Sequence, residues 1–196
     1  MIRLKNLVDR IPRVVLFALA GLIQIALIGL MVADRVQILR TGKEVTLQTR
    51  PVDPRDFLRG DYVVLAYGIS AVSDGALSPA TKGMLVFVKL APGADGLHKM
   101  VSVHREPVPV TGNEILLRGR VDSGSSCRDS SRAFCGSINL HYGLEQYFVP
   151  QGEGKEIEKA RNQGKVAVVA AVTPDGRAAI KRLLLDGKPV YDEPLF

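Results

Sequence analysis

No serine precedes Ser70 in this chain of 196 residues, and the whole sequence holds three histidines and two cysteines. Each scarcity removes a class of chemistry. A membrane-anchored Ser/Lys hydrolase needs a nucleophilic serine soon after its anchor and a lysine base, and Thr41, Thr46 and Thr49 are poor substitutes for that serine. The histidines are His98, His104 and His141. The first two lie on one expected strand at a separation of roughly 20 Å, at about 3.3 Å per residue. One ion cannot join them across that distance, because zinc–nitrogen bonds are about 2 Å. No metal site is expected; the histidines read as ordinary polar residues, with a carboxylate across the strands left open as a partner for His104 or His141. The cysteines, Cys127 and Cys135 in "SSCRDSSRAFCGS", form neither a C-x-x-C pair nor a zinc set. They are read as one disulfide closing a small polar loop, worth roughly 2–3 kcal/mol in the chain-entropy model. Such a bond persists in oxidising compartments. Rossmann, Walker and G-x-S-x-G spacings are missing as well, so neither a nucleotide cofactor nor a catalytic serine is expected.

Charge is missing from one stretch altogether. Residues 14–33, "VVLFALAGLIQIALIGLMVA", hold no charged side chain, and Gln24 is their one strongly polar residue. As a helix, such a run spans about 30 Å, the thickness of a bilayer's hydrocarbon. A buried core helix is rarely apolar on all faces for this length. A cleaved signal peptide needs a small residue three before the cut, and the run ends Met31-Val32-Ala33. The reading is an uncleaved signal anchor. Arg3, Lys5, Arg10 and Arg13 precede it and Arg35, Arg40 and Lys43 follow, a slight excess of positive charge before the span that favours an N-terminus inside. With the exported cysteines this puts residues 1–13 in the cytoplasm as a basic tail, 14–33 in the inner membrane, 34–43 as a linker that begins as a juxtamembrane helix end and is broken at Thr41-Gly42, and 44–196 in the periplasm. Of the net charge of +6, the tail supplies +3, which leaves the exported part close to balance and argues against nucleic acid as a partner.

Beyond Thr41-Gly42, short apolar runs alternate with turn signals, the pattern of a β-rich domain. Strands are expected at 44–49, 61–68, 84–90, 97–104, 114–121, 137–142, 165–172, 177–185 and 188–191. Pro174-Asp175-Gly176 and Asp186-Gly187 supply hairpin turns, since proline fixes φ and glycine accepts positive φ. One short helix is expected at 153–164, ended by Gly164 and touching the sheet through Ile157 and Ala160. The expected fold class is thus α+β and β-rich, mostly antiparallel sheet or a partly open barrel, behind a single N-terminal transmembrane helix. Gly21, Gln24 and Gly29 give the span a smooth, weakly polar stripe for a helical partner, or simply face lipid.

The densest stretch is "PVDPRDFLRGDYVVLAY", residues 51–67. Prolines 51 and 54 favour extended backbone before them, and Gly60 permits a sharp entry into a strand. Val63, Leu65 and Tyr67 share one face of that strand and Tyr62, Val64 and Ala66 the other, so it is expected to be central and covered on both sides. The entry gathers Asp53, Asp56 and Asp61 beside Arg55 and Arg59. Bidentate carboxylate–guanidinium pairs there can lock the corner, recognise a partner, or place paired carboxylates for acid–base work.

Gly60-Asp61-Tyr62-Val63-Val64-Leu65-Ala66-Tyr67 matches, at all five defined positions, the pattern that names the GDYxxLxY family of bacterial membrane-anchored proteins. Pro51-Val52-Asp53-Pro54-Arg55 and "EQYFVPQGEGKEIEKA", residues 145–160, resemble the family's other recurring blocks, so the resemblance covers most of the chain. It implies a single-pass inner-membrane protein with an exported domain, associated with multi-pass membrane proteins. No established activity or catalytic residue comes with it. The expected function is an accessory or binding protein working with an integral-membrane partner, with Asp53, Arg55, Asp56, Arg59, Gly60, Asp61, Tyr62, Leu65 and Tyr67 as candidate binding residues. The alternative is an envelope hydrolase using Asp53, Asp56 and Asp61.

Overall fold

A computed structural model describes residues 12–51, 62–73, 77, 80–123, 137–149 and 154–192. The chain divides into two compact units, Met1–Gln37 and Ile38–Phe196.

The apolar run folds as the expected helix. Helix α1 (Arg13–Thr41) has 29 residues, a length of about 43 Å at 1.5 Å per residue. Its most apolar window has a mean hydropathy of 2.6 and none of it is buried within the protein. Val14 and Phe17 are each 78% exposed, an arrangement that water would penalise and hydrocarbon would not. The helix does not stop at the end of that run. It continues as the expected juxtamembrane helix end and stops at Thr41, beside the expected break at Thr41-Gly42; its last turn, from Ile38, belongs to the second unit.

The second unit is β-rich and its described pairings are all antiparallel. One sheet has the order β12-β11-β10-β1-β3, built from β1 (Lys43–Arg50), β3 (Ala66–Tyr67), β10 (Val166–Val172), β11 (Ala178–Leu185) and β12 (Lys188–Asp192). The other has the order β4-β8-β7-β5-β6, from β4 (Ala71–Ser73), β5 (Leu85–Pro92), β6 (His98–His104), β7 (Ile115–Ser123) and β8 (Ser137–His141). A two-stranded ribbon joins β2 (Tyr62–Val64) to β9 (Gln146–Phe148). Both turn readings hold: Gly176 has φ +84°, and Asp186 and Gly187 both have positive φ, as a two-residue type I′ hairpin turn demands.

Strand β10, "VAVVAAV", is buried along its whole length. Val166, Val168, Ala170 and Val172 face the main core. On the other face Ala171, with its cross-strand partner Ala179, receives Ile38 and Leu39. Small side chains there admit the last turn of α1 close to the sheet. Helix α2 (Gly154–Asn162) lies within the expected span, with Ile157 buried, Ala160 packed on the core and Gly164 at φ +72° past its end.

The stretch expected as one central strand, 61–68, is instead broken and peripheral. β2 lies in the ribbon, β3 at the margin of the first sheet, and Leu65 between them sends its N–H to the Glu145 carbonyl at 2.8 Å. The chain then makes a 3₁₀ turn (Gly68–Ser70) and enters β4, at the margin of the second sheet. Residues 62–73 thus pair in turn with β9, β1 and β8 and tie the two sheets together. Valine-rich alternation gives strand propensity but not the choice of partner, so a change of sheet in mid-segment is invisible to it.

Candidate functional site

The motif residues that fall within the described structure build a lock between two segments, 65–70 and 141–145. Val63, Leu65 and Tyr67 alternate onto the core face, and Leu65 and Tyr67 are fully buried. The Tyr67 hydroxyl donates to the Leu144 carbonyl at 2.5 Å. Reciprocally, the Tyr142 hydroxyl donates to the Ile69 carbonyl at 2.5 Å. Each tyrosine therefore satisfies a buried carbonyl of the other's segment. The Tyr67 N–H reaches Ser70 Oγ, and the Tyr142 N–H donates to Glu145 Oε1 at 2.6 Å. Glu145 Oε2 is buried and lies 3.0 Å from His141 Nδ1, so His141 finds its carboxylate across a tight turn rather than across strands. From α2 the buried Arg161 guanidinium donates to the Val64 carbonyl and to Asn162 Oδ1.

This arrangement does structural work. Burial, with the Glu145 carboxylate as a lesser cause, raises both phenols well above the ordinary tyrosine range. They stay protonated donors at any physiological pH, and neither can act as a base. The other motif residues stand differently. Tyr62 pairs through its backbone with Phe148. Asp53, Arg55, Asp56, Arg59, Gly60 and Asp61 lie outside the described residues, as do Cys127 and Cys135.

Beside the lock lies a groove of about 310 Å³, mostly apolar, between β1, the 3₁₀ turn and the start of β6. Leu47, Ile69 and Met100 line it, Gly68 leaves one wall without a side chain, and Lys99 and His98 contribute polar atoms. Its volume is at the low end of small-ligand sites, about 300–1,000 Å³. His98 Nδ1 accepts the Thr46 N–H at 3.2 Å, which puts the proton of the neutral ring on Nε2. Reading the histidines one by one as ordinary polar residues missed this role, because the two partners are 52 positions apart in the chain.

Burial lowers the His98 pKa, and protonating Nδ1 would also break the bond it accepts from Thr46. A histidine with a depressed native pKa binds fewer protons folded than unfolded, so it stabilises above its unfolded value of about 6.5 and that stability is lost as pH falls below it. The domain's urea midpoint is therefore expected to drop between pH 7 and 5. His98→Asn, whose Oδ1 can still accept from Thr46, should flatten that part of the profile; an unchanged profile in the variant would assign the drop to other groups.

Among the described residues no three His, Cys, Asp or Glu side chains come together as a metal set. His98 and His104 stand at opposite ends of β6, and His104 Nε2 meets Ser102 Oγ at 2.8 Å.

The family model described as "GDYXXLXY protein" covers residues 24–183. Neither the curated proteins nor the solved structures returned a match.

Proposed function

The chain belongs to the GDYXXLXY protein family, and from that premise we propose that it is a single-pass inner-membrane protein whose β-rich domain lies in the periplasm and serves a multi-pass membrane partner as an accessory subunit. The observation that carries this reading is the apolar helix itself: its membrane-length window has no protein covering it, and the unit that follows is β-rich with a core of its own.

The motif supports an accessory role over catalysis. Its buried leucine and tyrosine hold the fold. The polar residues Asp53, Arg55, Asp56, Arg59 and Asp61 would then be the recognition side of the motif, toward the partner. The rival reading, a hydrolase with Asp53, Asp56 and Asp61 as its carboxylates, differs in what such a change removes: one Asp→Asn change would abolish a turnover without moving stability.

Affinity purification from detergent-solubilised membranes, with a tag at the C-terminus, is expected to recover a reproducible multi-pass protein. Asp→Asn changes at 53, 56 and 61 should weaken that recovery while the protein stays folded. The same membranes give the topology: Cys127 and Cys135 should resist thiol labelling until a reductant is added, and a reporter at the C-terminus should be active only on the periplasmic side. Recovery of the protein alone removes the partner from this reading. Free thiols with a cytoplasmic reporter remove the compartment.

A further inference from the structure

The outward face of the second sheet holds an arrangement that the lock and the groove do not use. Strand β7 alternates Arg118, Gly119 and Arg120. Gly119 points inward, where the Tyr142 ring lies 3.0 Å from the position a Cβ would take. Arg118 and Arg120 therefore both point outward and both are exposed. They stand roughly 7 Å apart along the strand, at about 3.4 Å per residue. In the cross-strand row through Arg120, Leu85 sits on one side and His141 on the other. One step on, the chain leaves β8 through Tyr142 and Gly143, and Gly143, at φ +77°, brings no side chain to the face. The result is a notch of about 180 Å³ lined by Arg118, Arg120, His141, Tyr142 and Gly143. That volume has room for a tetrahedral oxyanion.

The charges in and around it do not cancel. His141 is paired with Glu145 at 3.0 Å. The next outward residue on β7, Asp122, faces Lys82 at 3.9 Å. The Arg120 guanidinium donates to the Gly83 carbonyl at 3.2 Å, a neutral acceptor that fixes its position. Among the described residues no carboxylate forms an ion pair with Arg118 or Arg120. Two like charges side by side on a sheet face repel each other. The same two guanidiniums across a notch are a donor set suited to the bidentate recognition of phosphate oxygens.

We infer that the notch between Arg118, Arg120, His141 and Gly143 is a binding site for a phosphate oxyanion, supplied as free phosphate or as the phosphodiester of a lipid headgroup. Arg118 and Arg120 clamp the oxygens from one side. The bare backbone at Gly143 gives the ligand its approach, and the Tyr142 ring beneath Gly119 holds the floor flat. The site is independent of the membrane partner proposed above.

The test uses the full chain in a nonionic detergent, titrated calorimetrically with inorganic phosphate and separately with glycerophosphoglycerol, a phosphodiester headgroup without acyl chains. Saturable binding of one ligand per chain is expected with at least one of the two. Arg118→Gln should weaken it about tenfold, the scale of a lost charge-assisted pair, and Arg120→Gln by a similar factor. Lys188→Gln, an exposed lysine on the other sheet, should leave it unchanged. Because Arg118 is exposed, its variant should keep the parent's thermal midpoint, which separates lost binding from lost fold. Tighter binding of the diester assigns the site to a headgroup, and tighter binding of phosphate to the free ion. Absence of saturation with both probes overturns the inference, and so does an affinity that falls as much in Lys188→Gln as in Arg118→Gln.

Discussion

Truncating Tyr67 to alanine is expected to lower the unfolding free energy of the β-rich domain by about 3–5 kcal/mol, the range for deleting a fully buried aromatic side chain. That is a large part of the roughly 5–15 kcal/mol that holds a typical domain together. Tyr67 has no exposed surface, and its ring sits in the core cluster with Leu65, Leu144 and Tyr147. Tyr67→Phe isolates the hydroxyl. It leaves the Leu144 carbonyl buried without its donor, a loss of about 1–3 kcal/mol. Tyr142→Phe should cost about the same through the Ile69 carbonyl. The two bonds join the same pair of segments, so the double variant should lose less than the two singles together; once one bond is gone, the other closes a contact already loosened. Urea unfolding of the full chain in nonionic detergent, followed by circular dichroism, measures all four variants. A strictly additive double variant would mean that the tyrosines act separately and that there is no shared lock.

The second large effect belongs to Gly42. Its N–H closes the last turn of α1 on the Ile38 carbonyl at 2.9 Å. A methyl group built on it would lie 2.7 Å from that carbonyl oxygen and 2.7 Å from the Val172 nitrogen, with the Ala171 carbonyl carbon at 2.9 Å. All three are backbone atoms, so no side chain can swing away to make room. Gly42→Ala should force the last turn off Ala171 and Ala179 and lower stability by about 1–3 kcal/mol, as over-packing does. Gly42→Val should cost more. Gly68→Ala is the control, because a methyl group there meets nothing within 4 Å; an ordinary open position shifts stability by no more than about 0.5 kcal/mol. If Gly42→Ala behaves like Gly68→Ala in the same urea series, the helix end does not need its close seat on β10.

Much of the fold was legible because its signals are local. The charge-free run at 14–33, the Asp-Gly turns and the helix ended by Gly164 are each written within a few residues, and each appears where expected. The β4 strand was not legible as a strand. It has three residues, too few to display a period, and it exists because a distant strand, β8, offers it hydrogen bonds. The end of α1 was legible in part: "DRVQILR" reads as a juxtamembrane helix end broken at Thr41-Gly42, and the helix does end at Thr41, but the seat that Ile38 and Leu39 find on Ala171 and Ala179 is not written in those residues.

The site divides along the same line. The pattern Gly60 to Tyr67 could be recognised from the letters alone, and with it the family. What Tyr67 does could not, since its acceptor at Leu144 is 77 residues away, and the same tyrosine on an open strand would have been a surface for a partner. By itself the sequence determined a membrane-length apolar helix, a β-rich body and membership of the family, because run length, turn chemistry and a short motif are properties of neighbouring residues. Only the tertiary structure decided which tyrosines lock, which glycine must stay bare and which two arginines share a notch, because each of those depends on atoms that the chain brings together from far apart.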